Sequence, residues 1–122
     1  MTTRGIRGAT AIESDTKGNV LAATKELLEA ILGANSDLQI DDIASAIFTV
    51  TDDIVSVHPA LAARQIGWMQ VPMLCAREIP VEGSLRLCIR VLIHWNTDRP
   101  QSEIKHVYLR EAVKLRPDLR GI

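Results

Sequence analysis

Residues 86–95, RLCIRVLIHW, constrain the fold most, because apolar and mixed positions alternate there with the period of a β-strand. Leu87, Ile89, Val91, Ile93 and Trp95 share one face, and Arg86, Cys88, Arg90, Leu92 and His94 share the other. The first face calls for burial against a core. The second holds Arg90 mid-strand between a cysteine and a leucine, where little water is expected to reach it. A guanidinium keeps its charge in such surroundings and needs an anion with forked acceptor geometry. Glu78, before a Glu82-Gly83-Ser84 turn, is one candidate partner, and a bound anion is the other. Both a structural ion pair and a ligand site fit, since buried pairs add little stability and perturbed charges gather at sites.

The rest of the chain supplies a sheet and helices around that strand. Residues 4–12, RGIRGATAI, read as a strand loosened by Gly5 and Gly8, and glycine within a strand often marks a close approach to the backbone. Ser14, Asp15 and Thr16 are capping residues for an amphipathic helix over 20–32, with Asp15 favourable at its positive end and Gly33 as its stop. Its core positions are Val20, Leu21, Leu27, Leu28, Ile31 and Leu32. Residues 41–45 form at most a helical turn, and 46–51, AIFTVT, a buried strand. His58-Pro59 opens a short helix over 60–66 that Gly67 ends. Further strands are predicted over 71–75, 86–95 and 106–109, with loop at 96–102. The order β-α-β-α-β-β-β predicts one α+β domain over 1–122: a mixed, ferredoxin-like sheet with its helices largely on one face. The uncovered Arg90 face is neither polar nor apolar, so a subunit partner is expected there.

Several function classes drop out. A net charge of −1 gives no general affinity for nucleic acid or anionic membrane, and 3% aromatics make no base-stacking platform. The N-terminal MTTRGIRGAT lacks an apolar signal core and no apolar run reaches membrane-spanning length, so a cytoplasmic protein is expected. Cys75 and Cys88 form neither a zinc pattern nor a CxxC motif, and His58, His94 and His106 are scattered. Nucleophile elbows and phosphate-cradling glycine loops are missing, so no metal or cofactor is expected. What recurs is arginine in apolar or glycine-rich contexts: Arg7, Arg64, Arg90 and Arg116. Their forked donors suit a small polycarboxylate, handled by binding and electrostatics rather than covalent chemistry.

Read in order, RGIRGAT at 4–10, PALAAR at 59–64, VPMLCAREIPVEGSL at 71–85, CIRVL at 88–92, HVYL at 106–109 and LRPDL at 115–119 resemble the AroH class of monofunctional chorismate mutases over essentially the whole chain. The resemblance implies a homotrimeric pseudo-barrel with sites between neighbouring subunits. It implies conversion of chorismate to prephenate by an intramolecular Claisen rearrangement, in phenylalanine and tyrosine biosynthesis, without cofactor or metal. Arg90 would face the ether oxygen, Arg7 and Tyr108 would hold a carboxylate and its surroundings, and Glu78 and Cys75 would meet the ring hydroxyl. Arg64 and Arg116 would be outer cations at the mouth, with Met73, Leu115, His58 and Ala60 as further contacts. His58 stands where that family usually has phenylalanine, and the sequence stops three residues after LRPDL, so no long tail is expected over the site. A carboxylate-sensing regulatory module and a trimeric imine deaminase are the other classes that the same arginines would serve.

Overall fold

The computed structural model describes residues 2–115. It contains strands β1 (Thr2–Ala11), β2 (Ile43–Val50), β3 (Met73–Arg77), β4 (Cys88–Thr97) and β5 (Val107–Tyr108), with helices α1 (Lys17–Ala34) and α2 (Ala60–Gln65). They follow the expected β-α-β-α-β-β-β order. Short 3-10 turns at Ile40–Asp42, Gln101–Glu103 and Arg110–Leu115 complete it.

The strands form one sheet in the order β3-β2-β4-β1-β5, with β4 at the centre. β4 runs antiparallel to both β1 and β2, whereas the edge strands β3 and β5 run parallel to their neighbours. The mixed α+β sheet is therefore as expected, but its connectivity differs from the β-α-β-β-α-β order of the ferredoxin-like motif. Here α1 and α2 each intervene between strands, and three strands close the chain. Parallel edge pairing needs a long crossover: α2 provides it between β2 and β3, and α1 with β2–β4 between β1 and β5.

One face of the sheet carries the core. Phe48 of β2 and Val91, Ile93 and Trp95 of β4 pack with Ile6 of β1, with Leu27, Leu28 and Ile31 of α1, and with Trp68 after α2. A smaller cluster joins Val20, Ala23, Val50, Ile54 and Ile89. The strand expected over 86–95 thus holds from Cys88 and runs on to Thr97, two residues into the expected loop. Leu87 lies outside the strand with a left-handed φ of 51°.

Gly8 shows why β1 is glycine-rich. A Cβ there would come within 2.6 Å of Ile31 Cδ1 and 3.3 Å of Leu27 Cδ1, so α1 lies against the bare backbone. The helix itself starts and stops differently from expectation. Thr16 Oγ1 accepts from the Asn19 amide at 3.0 Å, so α1 begins at Lys17. Asp15 turns away and accepts from the Val55 and Ser56 amides. Gly33 lies inside α1, which ends where the buried Asn35 side chain donates to Ile31 O and Lys105 O and accepts from the Lys105 amide. Ala23 and Thr24 are buried, Leu32 packs half-buried against the core and Leu21 stays outside it, because the 20, 23/24, 27/28, 31 positions form the stripe that faces the sheet.

Candidate active site

The other face of the sheet is uncovered in the single chain. Register determines what it displays: Thr49 of β2, Arg90 of β4, Ala9 of β1 and Tyr108 of β5 stand abreast, and Ile47, Leu92 and Arg7 form the next row. Tyr108 and Leu115 come over from the far edge. Together Arg7, Ile47, Thr49, Glu78, Arg90, Leu92, Tyr108 and Leu115 line a hollow of about 330 Å³. That volume lies at the small end of ligand pockets, enough for a compact metabolite.

Glu78 reaches this hollow because β3 has just ended. Its amide donates to Val50 O at 2.9 Å, and its carboxylate accepts from the Thr49 hydroxyl. Arg90 Nε lies 3.5 Å from Glu78 Oε2. A guanidinium has five N–H donors, so one ion pair through Nε leaves others for an anionic ligand. The expectation that water would hardly reach Arg90 does not hold in the single chain. Its side chain is 45% exposed and that of Glu78 21%, because nothing covers this face. Cys88, next along the same face, is buried, and burial pushes its thiol above the ordinary value while neighbouring Arg90 pulls against the rise.

Arg7 projects from β1 beside Gly8, and its amide donates to His106 Nδ1 at 2.9 Å. That contact ties the loop before β5 to β1, and the Leu109 amide closes on Ala9 O at 2.9 Å, setting Tyr108 at the edge of the hollow. Arg7, Glu78, Arg90, Tyr108 and Leu115 are thereby brought together as expected. The remaining expected site residues are elsewhere. Cys75 pairs with Phe48 and Met73 with Ala46, so both side chains turn to the core side of the sheet. Cys75 and His58 line a separate hollow of about 300 Å³ with Pro59 and Arg77. Ala60 is in the core, and Arg64 is exposed on α2. Arg116 lies outside the described residues.

Thr49 is the site residue that sequence reasoning missed. Its signal was parity: in AIFTVT it shares a face with Ile47, and a lone hydroxyl on that face has a polar neighbour only if another strand brings one. Among the described residues no group of three or more His, Cys, Asp or Glu side chains could hold a metal ion, and no helix is long and apolar enough to cross a membrane.

A family model described as chorismate mutase type I matches residues 3–119. The chain is 58% identical over 118 residues to a Thermus thermophilus protein named chorismate mutase AroH, an alignment covering 97% of each. It is 46% identical to the Bacillus subtilis protein of the same name over 120 residues, 98% of this chain and 94% of that one. A solved chorismate mutase structure from Clostridium thermocellum superposes with a TM-score of 0.86 at 47% identity, covering 88% of this chain and 96% of the other. On that match, which runs through every strand and helix described above, the chain belongs to the type I chorismate mutase family.

Proposed function

We infer that this chain isomerises chorismate to prephenate, the rearrangement that leads toward phenylalanine and tyrosine. The observation that carries the reading is the Glu78–Arg90 pair facing Arg7 across one small hollow, in a chain of this family. The rearrangement breaks one C–O bond and forms one C–C bond within a single molecule. It needs no nucleophile and no proton transfer. What a protein can supply is a compact reactive conformer and a positive donor at the oxygen that gains charge. Arg90 meets that oxygen, Arg7 and Tyr108 hold a carboxylate, and Glu78 takes the ring hydroxyl. Loss of chorismate absorbance on adding purified protein tests the reading directly. No turnover would leave the carboxylate-sensing module or the imine deaminase in its place, neither of which the family match favours.

The active form in this proposal is a homotrimer with sites between subunits. Leu74, Ile47 and Leu92 stand side by side across the open face, and Leu74 is 70% exposed. A contiguous apolar row of that kind marks an interface. The α2–β3 edge of a neighbouring subunit, bearing His58, Ala60, Arg64, Met73 and Cys75, then closes the hollow from the other side, with Arg116 as a further cation for the substrate in this reading. The proposal keeps the cytoplasmic location expected from the sequence. Light scattering should give a mass of about three chains in dilute buffer. A monomer with full activity would overturn the shared site.

A further inference from the structure

We propose that Asp53, which is absent from the Arg7–Tyr108 hollow but lines a second one of about 270 Å³ with Glu78, Arg86 and Arg90, is a positioning residue for Arg90, acting by holding Leu87 in a left-handed conformation at the start of β4. Leu87 has a φ of 51°, a region that a branched apolar side chain rarely adopts. Such a conformation persists only where its surroundings over-determine it. Here both Asp53 carboxylate oxygens accept from the Leu87 amide at 3.1 Å. One of the same oxygens accepts from Thr51 Oγ1 at 2.5 Å, and Thr51 Oγ1 in turn accepts from the Cys88 amide at 3.0 Å. Thr51 N closes the arrangement on Cys88 O at 3.1 Å, and Ile12 N holds Leu87 O at 2.9 Å. Arg86 Nε stands 3.4 Å from the second Asp53 oxygen.

Two successive amides of the incoming chain are thus fixed by one aspartate and one threonine at the end of β2. Arg90 follows two residues later, its register against Thr49 set by that start. Glu78 is fixed from the same strand end, by Val50 O and the Thr49 hydroxyl. The last residues of β2 and the turn after it therefore act as a common template for both members of the ion pair. Asp53 is suited to the task. Burial works against its ionised form, but hydrogen bonds from Thr51, the Leu87 amide and Arg86 outweigh it, so its carboxyl stays below the usual aspartate range and remains an acceptor at both oxygens.

The inference rests on the chorismate reading for its kinetic test and on Arg90 itself for a second. With chorismate, Asp53→Ala should lower kcat roughly 10- to 100-fold with a smaller change in KM, as expected for a displaced group rather than a lost contact. Asp53→Asn, which keeps one acceptor oxygen, should fall between it and the parent, and carries the measurement if Asp53→Ala does not fold. The decisive variant is Asp53→Ala with Leu87→Gly: glycine adopts positive φ without penalty, so most of the lost kcat should return although the carboxylate is still missing. A purely structural cap predicts otherwise, namely lower Tm with kcat within about twofold of the parent below Tm. That result, or a double variant no faster than Asp53→Ala, overturns the proposal. If the parent protein does not turn over chorismate, the catalytic reading falls, and the NMR signal of the Arg90 Nε–H still decides this one. It should move in Asp53→Ala and return in the double variant; an unmoved signal overturns the positioning role.

Discussion

On the helix-covered face of β4, Ile89, Val91, Ile93 and Trp95 are each at most 3% exposed, whereas Arg90 and Leu92, between them in the same strand, lie open. β1 repeats the division over one peptide bond: Gly8 lies under α1 and Arg7 projects into the hollow. The covered face is packed so closely that a single methyl group is excluded. The open face carries charge, a hydroxyl and unburied leucine. Folding free energy is thus concentrated on one side of the sheet and chemistry on the other, and substitutions on the two sides should register in different measurements.

The largest expected effect lies on the open face. If Arg90 meets the oxygen that gains charge, its removal takes away an interaction made chiefly in the transition state, so kcat falls more than affinity. Loss of one such donor costs about 10²–10³ in rate, roughly 3–4 kcal/mol, and the full charge of a guanidinium can raise this. Arg90→Lys keeps the charge but not the fork, and should also be severely impaired. Because Arg90 is half-exposed, Tm of Arg90→Ala should change little. The structural-pair reading gives the reverse: near-normal kcat with lowered Tm. That outcome would erase the distinction between the two faces.

A middle-sized effect is expected on the covered face. Gly8→Ala puts a methyl group against Ile31 and Leu27, both fully buried in the core. Overpacking of this kind costs about 1–3 kcal/mol. Thermal unfolding should show the loss, while kcat measured well below Tm should stay close to the parent if α1, and not β1, moves aside. A large fall in kcat would mean that β1 shifts and carries Arg7 with it, and that the two faces are coupled through one backbone.

How much of this division could be read from residues follows from its physics. Period-2 alternation is local, so the Ile89–Trp95 face, Arg90 opposite it and the close approach at Gly8 were legible. Whether the opposite face is covered depends on other elements, and so the exposure of Arg90 was not. The α1 termini depended on competition: Asp15 found two amides of the 55–56 loop, and Asn35 found Lys105, so neither the expected charge at the cap nor the Gly33 stop applied. Parallel pairing of β3 and β5 is set by crossovers rather than by their own residues. The Glu78–Arg90 pair was anticipated as one of two partners for Arg90, whereas Thr49 and Asp53 act through contacts 29 and 34 residues along the chain, so parity placed Thr49 on the open face but nothing local named its partner or that of Asp53.

The smallest expected effect is none at all, and it separates the faces by pH. A rearrangement without proton transfer leaves nothing to titrate at the reacting centre. Arginine stays charged and a carboxylate is normally ionised already, so turnover should be nearly flat between about pH 6 and 9. Cys88, which precedes Arg90 on the same face, has its pKa raised by burial, which favours the neutral thiol. Among the described residues the perturbed carboxylates are Asp15, held low by Ser56 and Val55, Asp37, held low by Arg99, and Asp53, where hydrogen bonds outweigh burial. A folded pKa below the unfolded 3.8 means that the folded state holds its protons less tightly. Its contribution to stability is therefore complete above 3.8 and lost as pH falls through the lower folded value. These three carboxylates should thus leave Tm unchanged between neutrality and about pH 5 and lower it below pH 4, and none of them lines the hollow that Arg90 shares with Arg7. A bell-shaped rate profile centred near neutrality, with Tm unchanged across it, would place an acid–base group on the open face and overturn the electrostatic mechanism.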